Sequence, residues 1–332
     1  MILVADVLPG RGRGAPVLAA RHTAAIPAAT SEPARAAEHG REMDTSGSAA
    51  PQVAYPPLTW NILGRDPAGL AVTTRWPSAA AAGPAAGPAG GPGWGGATGR
   101  GIRVCIVDSG VEDGHPRVGP VQSSSTIRPL PGGGCEVVPG EPGDLSGHGT
   151  ACASVVRSVA PDCEIHSVQV LGHGLAGSGE ALLAGLRWAI ATRFEVISVS
   201  VSTTRSKFAE ALRVLADEAF FHKSVLVASA HNLPVESYPW RFSSVISVGS
   251  HDTGDPGQYF YNPAPPVEFF AHGVDVEVGW LGGGIRRCTG NSFAAPRIAG
   301  YCALILSAYP GLTVFQVKNL LYLTAANVRG IP

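Results

Sequence analysis

Between residues 102 and 230 the rhythm of apolar and polar positions changes repeatedly. "IRVCIV" (102–107) is a short, almost continuous apolar run, the mark of a strand buried on both faces. "ACASVVRSVA" (151–160) has helical spacing, and "EIHSVQVL" (164–171) alternates as a strand. "GEALLAGLRWAIAT" (179–192) repeats apolar residues at Leu182, Leu183, Leu186 and Ile190, which predicts a helix. "VISVSVS" (196–202) reads as a strand, "KFAEALRVLADEAFF" (207–221) as a helix and "SVLVASA" (224–230) as a strand. Strands alternating with helices predict an α/β fold: a mostly parallel sheet with helices on both faces, in three layers. In such a sheet the ligand crevice lies beyond the carboxyl ends of the strands.

Upstream the pattern fades. Residues 1–42 carry no useful periodicity and are expected to be disordered or to stem from a misassigned start. Met43 is the only methionine besides Met1, which makes it the expected true start. Residues 43–76 form a short N-terminal segment with Tyr55, Trp60 and Trp76, too small for a core of its own. Residues 77–92 are an Ala/Gly/Pro-rich linker. The patterned domain is placed at 93–326, with a short tail at 327–332.

Composition narrows the function classes. Charged residues are only 15% of the chain and the formal net charge is −1. No basic excess points to nucleic acid, and no basic amphipathic stretch points to a membrane surface. No apolar run approaches the roughly 20 residues of a membrane span. "MILVADVLPGRGRG" puts its apolar residues before its arginines, the reverse of a secretory signal, so a cytoplasmic location is expected. The six cysteines form no CxxC pair. Cys105, Cys152 and Cys302 lie in apolar runs and read as buried thiols; a Cys135–Cys163 bridge is left open.

Three residues stand at the ends of predicted elements. Asp108 follows the first strand in "VCIVDSGV", a poor place for a carboxylate without a partner. His148 lies between two glycines at the mouth of a helix in "GDLSGHGTACASVV". Ser292 opens a long apolar helix in "CTGNSFAAPRIAGYCALILSAYP", where Pro296 falls early enough to be tolerated. Taken singly, each has a simpler reading: a turn cap, a packing histidine, an N-cap. Together they are the parts of a nucleophilic triad. Serine attacks, histidine takes its proton, and aspartate fixes the imidazole tautomer. A helix N-terminus also aims backbone N–H groups at developing negative charge.

The segments "GWGGATGRGIRVCIVDSGVEDGHP", "SGHGTACASVV" and "FAHGVDVEVGWLGGGIRRCTGNSFAAPRIAGYCALILSAYPGLTVFQVKNLL" together resemble the subtilisin-like serine proteases, the subtilases, over roughly residues 93–326. The resemblance implies the subtilisin-like fold and assigns Asp108, His148 and Ser292 as the triad. "VLVASAHNLP" resembles the segment holding the family's oxyanion asparagine, which falls on Asn232. "SVQVLGHGLAGSGEALLAGLRWAI" resembles the substrate-side strand and helix. The implied substrate-binding positions are Leu171, Gly172, Ser200, Val201, Ser202, Ala230 and His231.

Departures from the family pattern refine this. Asn291 replaces the usual threonine before the serine. His231 replaces a glycine bordering the pocket for the residue before the cut, where it could narrow the pocket, bind an acidic or polar side chain or face solvent. Ser200-Val201-Ser202 replaces Ser-Leu-Gly on the substrate edge, putting a side chain where backbone must approach backbone. Edge pairing with an extended peptide is still expected. The family's main calcium loop would interrupt "VVRSVAPDCE", which runs straight through. No other loop offers six oxygens, and Asp113, Asp144 and Asp162 read as solvated acids. No metal or cofactor is therefore expected. The expected function is a serine endopeptidase acting through an acyl-enzyme, with narrow specificity such as precursor-peptide maturation. The partner is an extended peptide or protein, with no nucleic acid or membrane and no indication of oligomeric state. The alternatives are an inactive peptide-binding module and an acyl-enzyme transferase or cyclase.

Overall fold

The computed structural model describes residues 92–94, 96–253 and 255–328, together with two-residue strand segments at Ile2–Leu3 and Ala85–Ala86. The expectations for residues 1–42 and 43–76, most of the 77–92 linker and residues 329–332 otherwise lie outside the described residues.

The first half of the domain runs β1 (Arg103–Asp108), β2 (Val121–Pro129), β3 (Cys135–Pro139), α1 (His148–Val159), β4 (Glu164–Gln169), α2 (Gly179–Ala191), β5 (Val196–Val199), α3 (Ala209–Phe221) and β6 (Val225–Ser229). The second half adds β7 (Ile246–His251), β8 (Tyr259–Tyr261), β9 (Phe269–His272), β10 (Val276–Trp280), β11 (Gly284–Cys288), α4 (Asn291–Ala308) and α5 (Val314–Thr324). Nine strands join in the order β8-β9-β7-β6-β5-β1-β4-β2-β3. The seven inner strands are parallel, and β8 and β3 run antiparallel at the two edges. This is the three-layer α/β fold that the periodicity predicts.

Strand periodicity divides the core. Val104 and Ile106 face a layer built on α1, α4 and α5, while Cys105 and Val107 face α2 and α3. Both faces of β1 are thus dry, which is why its residues are nearly all apolar. The predicted strand 196–202 is broken: β5 ends at Val199, and Val201–Ser202 forms a separate short strand. Edge strands β2 and β3, together with β7–β9, carry no clean alternation in sequence and appear only in the structure. All six cysteines are free, so there is no Cys135–Cys163 bridge.

Parallel order puts all carboxyl ends on one side. Asp108 ends β1, Ser200 follows β5 and Ala230 follows β6, on three adjacent strands. α1 and α4 both begin with a residue of interest, His148 at the first position and Ser292 at the second.

Candidate active site

His148 Nδ1 lies 2.8 Å from Asp108 Oδ1, which also accepts the Ser109 N–H at 2.8 Å. Both side chains are buried. Burial disfavours the imidazolium, but the Asp108 carboxylate, its hydrogen bond and the Cys152 sulfur more than offset this. The His148 pKa is held well above the ordinary imidazole range.

The flanking glycines let α1 approach the end of β1. A Cβ on Gly149 would stand 2.0 Å from the Gly110 carbonyl oxygen. Gly147 has φ 84°, and a Cβ there would meet the Trp280 ring at 2.7 Å. The β10–β11 hairpin that carries Trp280 is tied down by His115, whose Nε2 lies 3.0 Å from Trp280 O and 3.1 Å from Gly284 O.

Gly147 cannot cap the helix, and Asp144 does so instead. Its Oδ1 accepts from Ser109 Oγ (2.8 Å), Ser146 N (2.9 Å) and Gly147 N (2.8 Å). Its Oδ2 accepts from Thr150 N (2.8 Å) and Thr150 Oγ1 (2.7 Å). Ser109 Oγ in turn accepts the Gly149 N–H at 3.0 Å. Asp144 is therefore not the solvated acid its sequence context suggests: its carboxylate anchors the start of the histidine helix. Asp113 is likewise engaged, accepting from Val121 N at 2.8 Å. Asp162 is an exposed partner of Arg100.

Ser292 is fully buried, and its Oγ has no hydrogen-bond partner among the described residues. Pro296 is too deep in α4 for the early-position tolerance its sequence context suggests. Its missing N–H would have bonded to the carbonyl four residues back, that of Ser292. The structure supplies other donors to that oxygen: Ser200 Oγ at 3.0 Å and Cys152 Sγ at 3.4 Å. The same sulfur lies 3.8 Å from Asp108 Oδ2 and 3.8 Å from His148 Nδ1. One atom thus touches all three residues of the expected triad, which come from segments up to 184 positions apart in sequence (108 to 292). The Phe293 ring, 5.4 Å from the His148 ring between centroids, closes the other side. A buried imidazole oriented by a carboxylate, joined through one sulfur to a serine at a helix start, supplies the parts of an activated nucleophile.

Asn232 is exposed on the loop after β6, and its Oδ1 accepts the Asn291 N–H at 3.0 Å. Ala230 is buried, its N–H bonded to Val248 O. His231 folds back on its own turn, with Nδ1 accepting from Leu233 N at 2.9 Å. It lines a cavity of about 370 Å³ shared with Glu236, Trp240 and Phe270. Among the three orientations open to it in sequence, none included this contact with its own backbone.

Val201 is fully buried in the layer with α2 and α3, so its side chain does not stand in a peptide's path as its sequence position suggests. The Val201–Ser202 backbone accepts a parallel two-residue strand, Ile2–Leu3. Leu171 is also a core side chain, and its N–H bonds to Asp108 O. Gly172 gives its N–H to Ala176 O at 2.7 Å, and its carbonyl accepts from Ser146 Oγ at 3.1 Å. These two residues form the floor of a turn rather than a free edge.

Among the described residues, Asp108, His148 and Cys152 are also the group whose ligand atoms could converge on a metal, within 4.8 Å of one another. Two of those atoms are already joined in the Asp108–His148 hydrogen bond.

The Peptidase_S8 model, described as the subtilase family, matches residues 99–331. Subtilisin DY of Bacillus licheniformis is 31% identical over 250 residues, covering 70% of this chain and 86% of that protein. Subtilisin E of Bacillus subtilis (strain 168) is 29% identical over 248 residues, 69% of this chain, which spans only 62% of that longer protein. Among solved structures, a cold adapted subtilisin-like serine proteinase superposes with a TM-score of 0.58 at 26% identity, covering 70% of this chain and 87% of that one. A lanthipeptide protease shares the fold, with a TM-score of 0.57 at 23% identity, over 69% of this chain and 81% of that one.

Proposed function

The chain belongs to the subtilase family of serine endopeptidases, and from that premise we propose that it cleaves peptide bonds through an acyl-enzyme formed on Ser292. The substrate backbone lies extended against Val201–Ser202, in the place that the Ile2–Leu3 strand takes in this structure. Ser292 Oγ attacks the scissile carbonyl carbon while His148 takes the hydroxyl proton at Nε2. Asp108 holds the Nδ1–H and stabilises the imidazolium. The new C–O bond pushes the carbonyl electron pair onto oxygen. That oxyanion is received by the Asn232 amide and the Ser292 N–H at the start of α4. Collapse breaks the C–N bond, and His148 returns its proton to the leaving amine. Water then repeats the sequence, releasing the acid and free Ser292.

The observation that carries this reading is the Cys152 sulfur, in contact with Asp108, His148 and Ser292 at once. The missing partner for Ser292 Oγ accords with it, since nucleophile–base hydrogen bonds are often long without substrate. The proposal extends to a narrow substrate range, such as one precursor peptide. Support comes from the wall after β6, where His231 replaces glycine and the short loop exposes Leu233 and Val235.

A fluorophosphonate probe tests the chemistry. Label is expected at Ser292 and absent from Ser292→Ala. A folded wild-type protein that takes no label would leave the peptide-binding module standing instead. Given a random peptide mixture, the labelled-competent enzyme is expected to cut at few sequences; general digestion would rule out narrow specificity.

A further inference from the structure

We infer that Asn291 is a positioning residue that aims Asn232 at the oxyanion, a role resting on the acyl-enzyme reading above. Its side chain ties three segments together. Asn291 Oδ1 accepts from Ser250 N and Ser250 Oγ, both at 2.8 Å. Its Nδ2 donates to Ala230 O at 3.0 Å and His231 O at 3.2 Å. Its backbone N–H then donates to Asn232 Oδ1 at 3.0 Å.

Main-chain donors and acceptors settle both amide orientations. The Ser250 N–H can only donate, so the Asn291 atom it meets is the oxygen. The Ala230 and His231 carbonyls can only accept, so the atom they meet is the nitrogen. The Asn291 N–H can only donate, so the Asn232 atom it meets is Oδ1. Nδ2 of Asn232 is therefore the end left for a developing negative charge. Asn291 holds the two residues before Asn232 by their carbonyls and Asn232 itself by its amide oxygen. Ser250 on β7 fixes the clamp from behind.

The threonine usual at this position in the family could not do this. Its single hydroxyl cannot give two donors to the β6 side while accepting from the β7 side through a second atom. Asn291 thus replaces a small residue with a brace, on the side of the site where His231 replaces a glycine.

The test is a double-mutant cycle read by the rate of fluorophosphonate labelling, which builds charge on the same oxygen. Asn232→Ala is expected to slow the maximal labelling rate by about 10²–10³-fold, the scale that loss of such a donor has in subtilisin itself. Asn291→Ala is expected to slow it by up to about 10²-fold, with the half-saturating probe concentration unchanged, because the donor is present but misplaced. The double variant is expected to label as slowly as Asn232→Ala alone. Ser250→Ala, which touches neither probe nor Asn232, should show a smaller loss that likewise vanishes in the Asn232→Ala background.

Losses that multiply would overturn the inference, since general damage to the fold would add to the loss of Asn232. So would an Asn291→Ala rate equal to wild type, or a change confined to half-saturation. If Asn232→Ala itself labels normally, the oxyanion assignment fails, a result distinct from failure of the clamp.

Discussion

The helices that carry His148 and Ser292 begin in opposite ways. α1 starts at a glycine in a left-handed conformation and is closed by a carboxylate: Asp144 accepts the Gly147 and Thr150 N–H groups, and Ser109 Oγ accepts that of Gly149. α4 starts at Gly290, which has no side chain to cap it. Its first N–H is used to orient Asn232. A helix N-terminus left open is a place for an anion, and one filled by an anion is a fixed point. The contrast teaches a division of labour. The histidine end is immobilised and negatively charged, which suits a side chain that must carry a proton. The serine end keeps its partial positive charge for the oxyanion.

The sharpest way to break this contrast is to neutralise the histidine end at its nearest charge. Asp108→Asn is expected to lower kcat by about 10⁴-fold, because the amide favours the wrong imidazole tautomer. It should also move the pH profile. In the wild type the Asp108 carboxylate and the Cys152 sulfur hold the His148 pKa well above the ordinary imidazole value. The rising limb of kcat/KM against pH should therefore lie above the usual imidazole range, with activity climbing as the proton leaves. Without the carboxylate, burial lowers the pKa against the Cys152 sulfur alone, so the limb should shift to lower pH as the plateau falls. A limb that stays in place in Asp108→Asn would mean that another group titrates.

Asp144→Ala attacks the same end one layer further out. It leaves the N–H groups of half-buried Ser146 and buried Gly147 and Thr150 without their charged acceptor. Bonds to a charged group contribute about 1.5–3 kcal/mol each, and water recovers part of that here, so a loss of about 3 kcal/mol in denaturant unfolding is expected. kcat should fall as well, since His148 is the first residue of the loosened turn. A control variant on α5, Thr313→Ala at its capping box, should cost about 1 kcal/mol of stability and leave kcat unchanged. If both variants lower kcat alike, the Asp144 effect is general softening rather than misplacement of His148.

How much of this was legible in the sequence follows from how each contact is made. Asp108, His148 and Ser292 could be placed because strand and helix periodicity carries them to element ends, and a parallel sheet gathers those ends. Asp144 could not, because its partners are turn N–H groups that converge only once Gly147 takes its left-handed conformation. The clamp at Asn291 depends on the parallel register of β6 against β7, which sets Ala230 beside Val248 and so near Ser250. Nothing local in either segment encodes that register. Pro296 is the middle case. Its effect on the Ser292 carbonyl follows from chain geometry alone, but the donors that answer it, Ser200 and Cys152, come from two other elements. His231 and Val201 show the limit most plainly. A substitution in a motif announces that something differs, while the direction of the side chain depends on its neighbours.

The mildest test of the closed end is Ser109→Ala. Its hydroxyl bridges the two layers of the anchor, donating to Asp144 Oδ1 and accepting from Gly149 N. Removing it leaves one buried N–H without an acceptor and strips one of the donors from a carboxylate that keeps the others. A stability loss of about 1–2 kcal/mol is expected. The Asp108–His148 hydrogen bond does not pass through this hydroxyl, because Asp108 takes the Ser109 backbone N–H and not its side chain. The pH limb should therefore stay where it is and kcat should change far less than in Asp144→Ala. If kcat instead falls as far as in Asp144→Ala, the Gly149 N–H bond, and not the Asp144 carboxylate, is what seats the histidine helix on the end of β1.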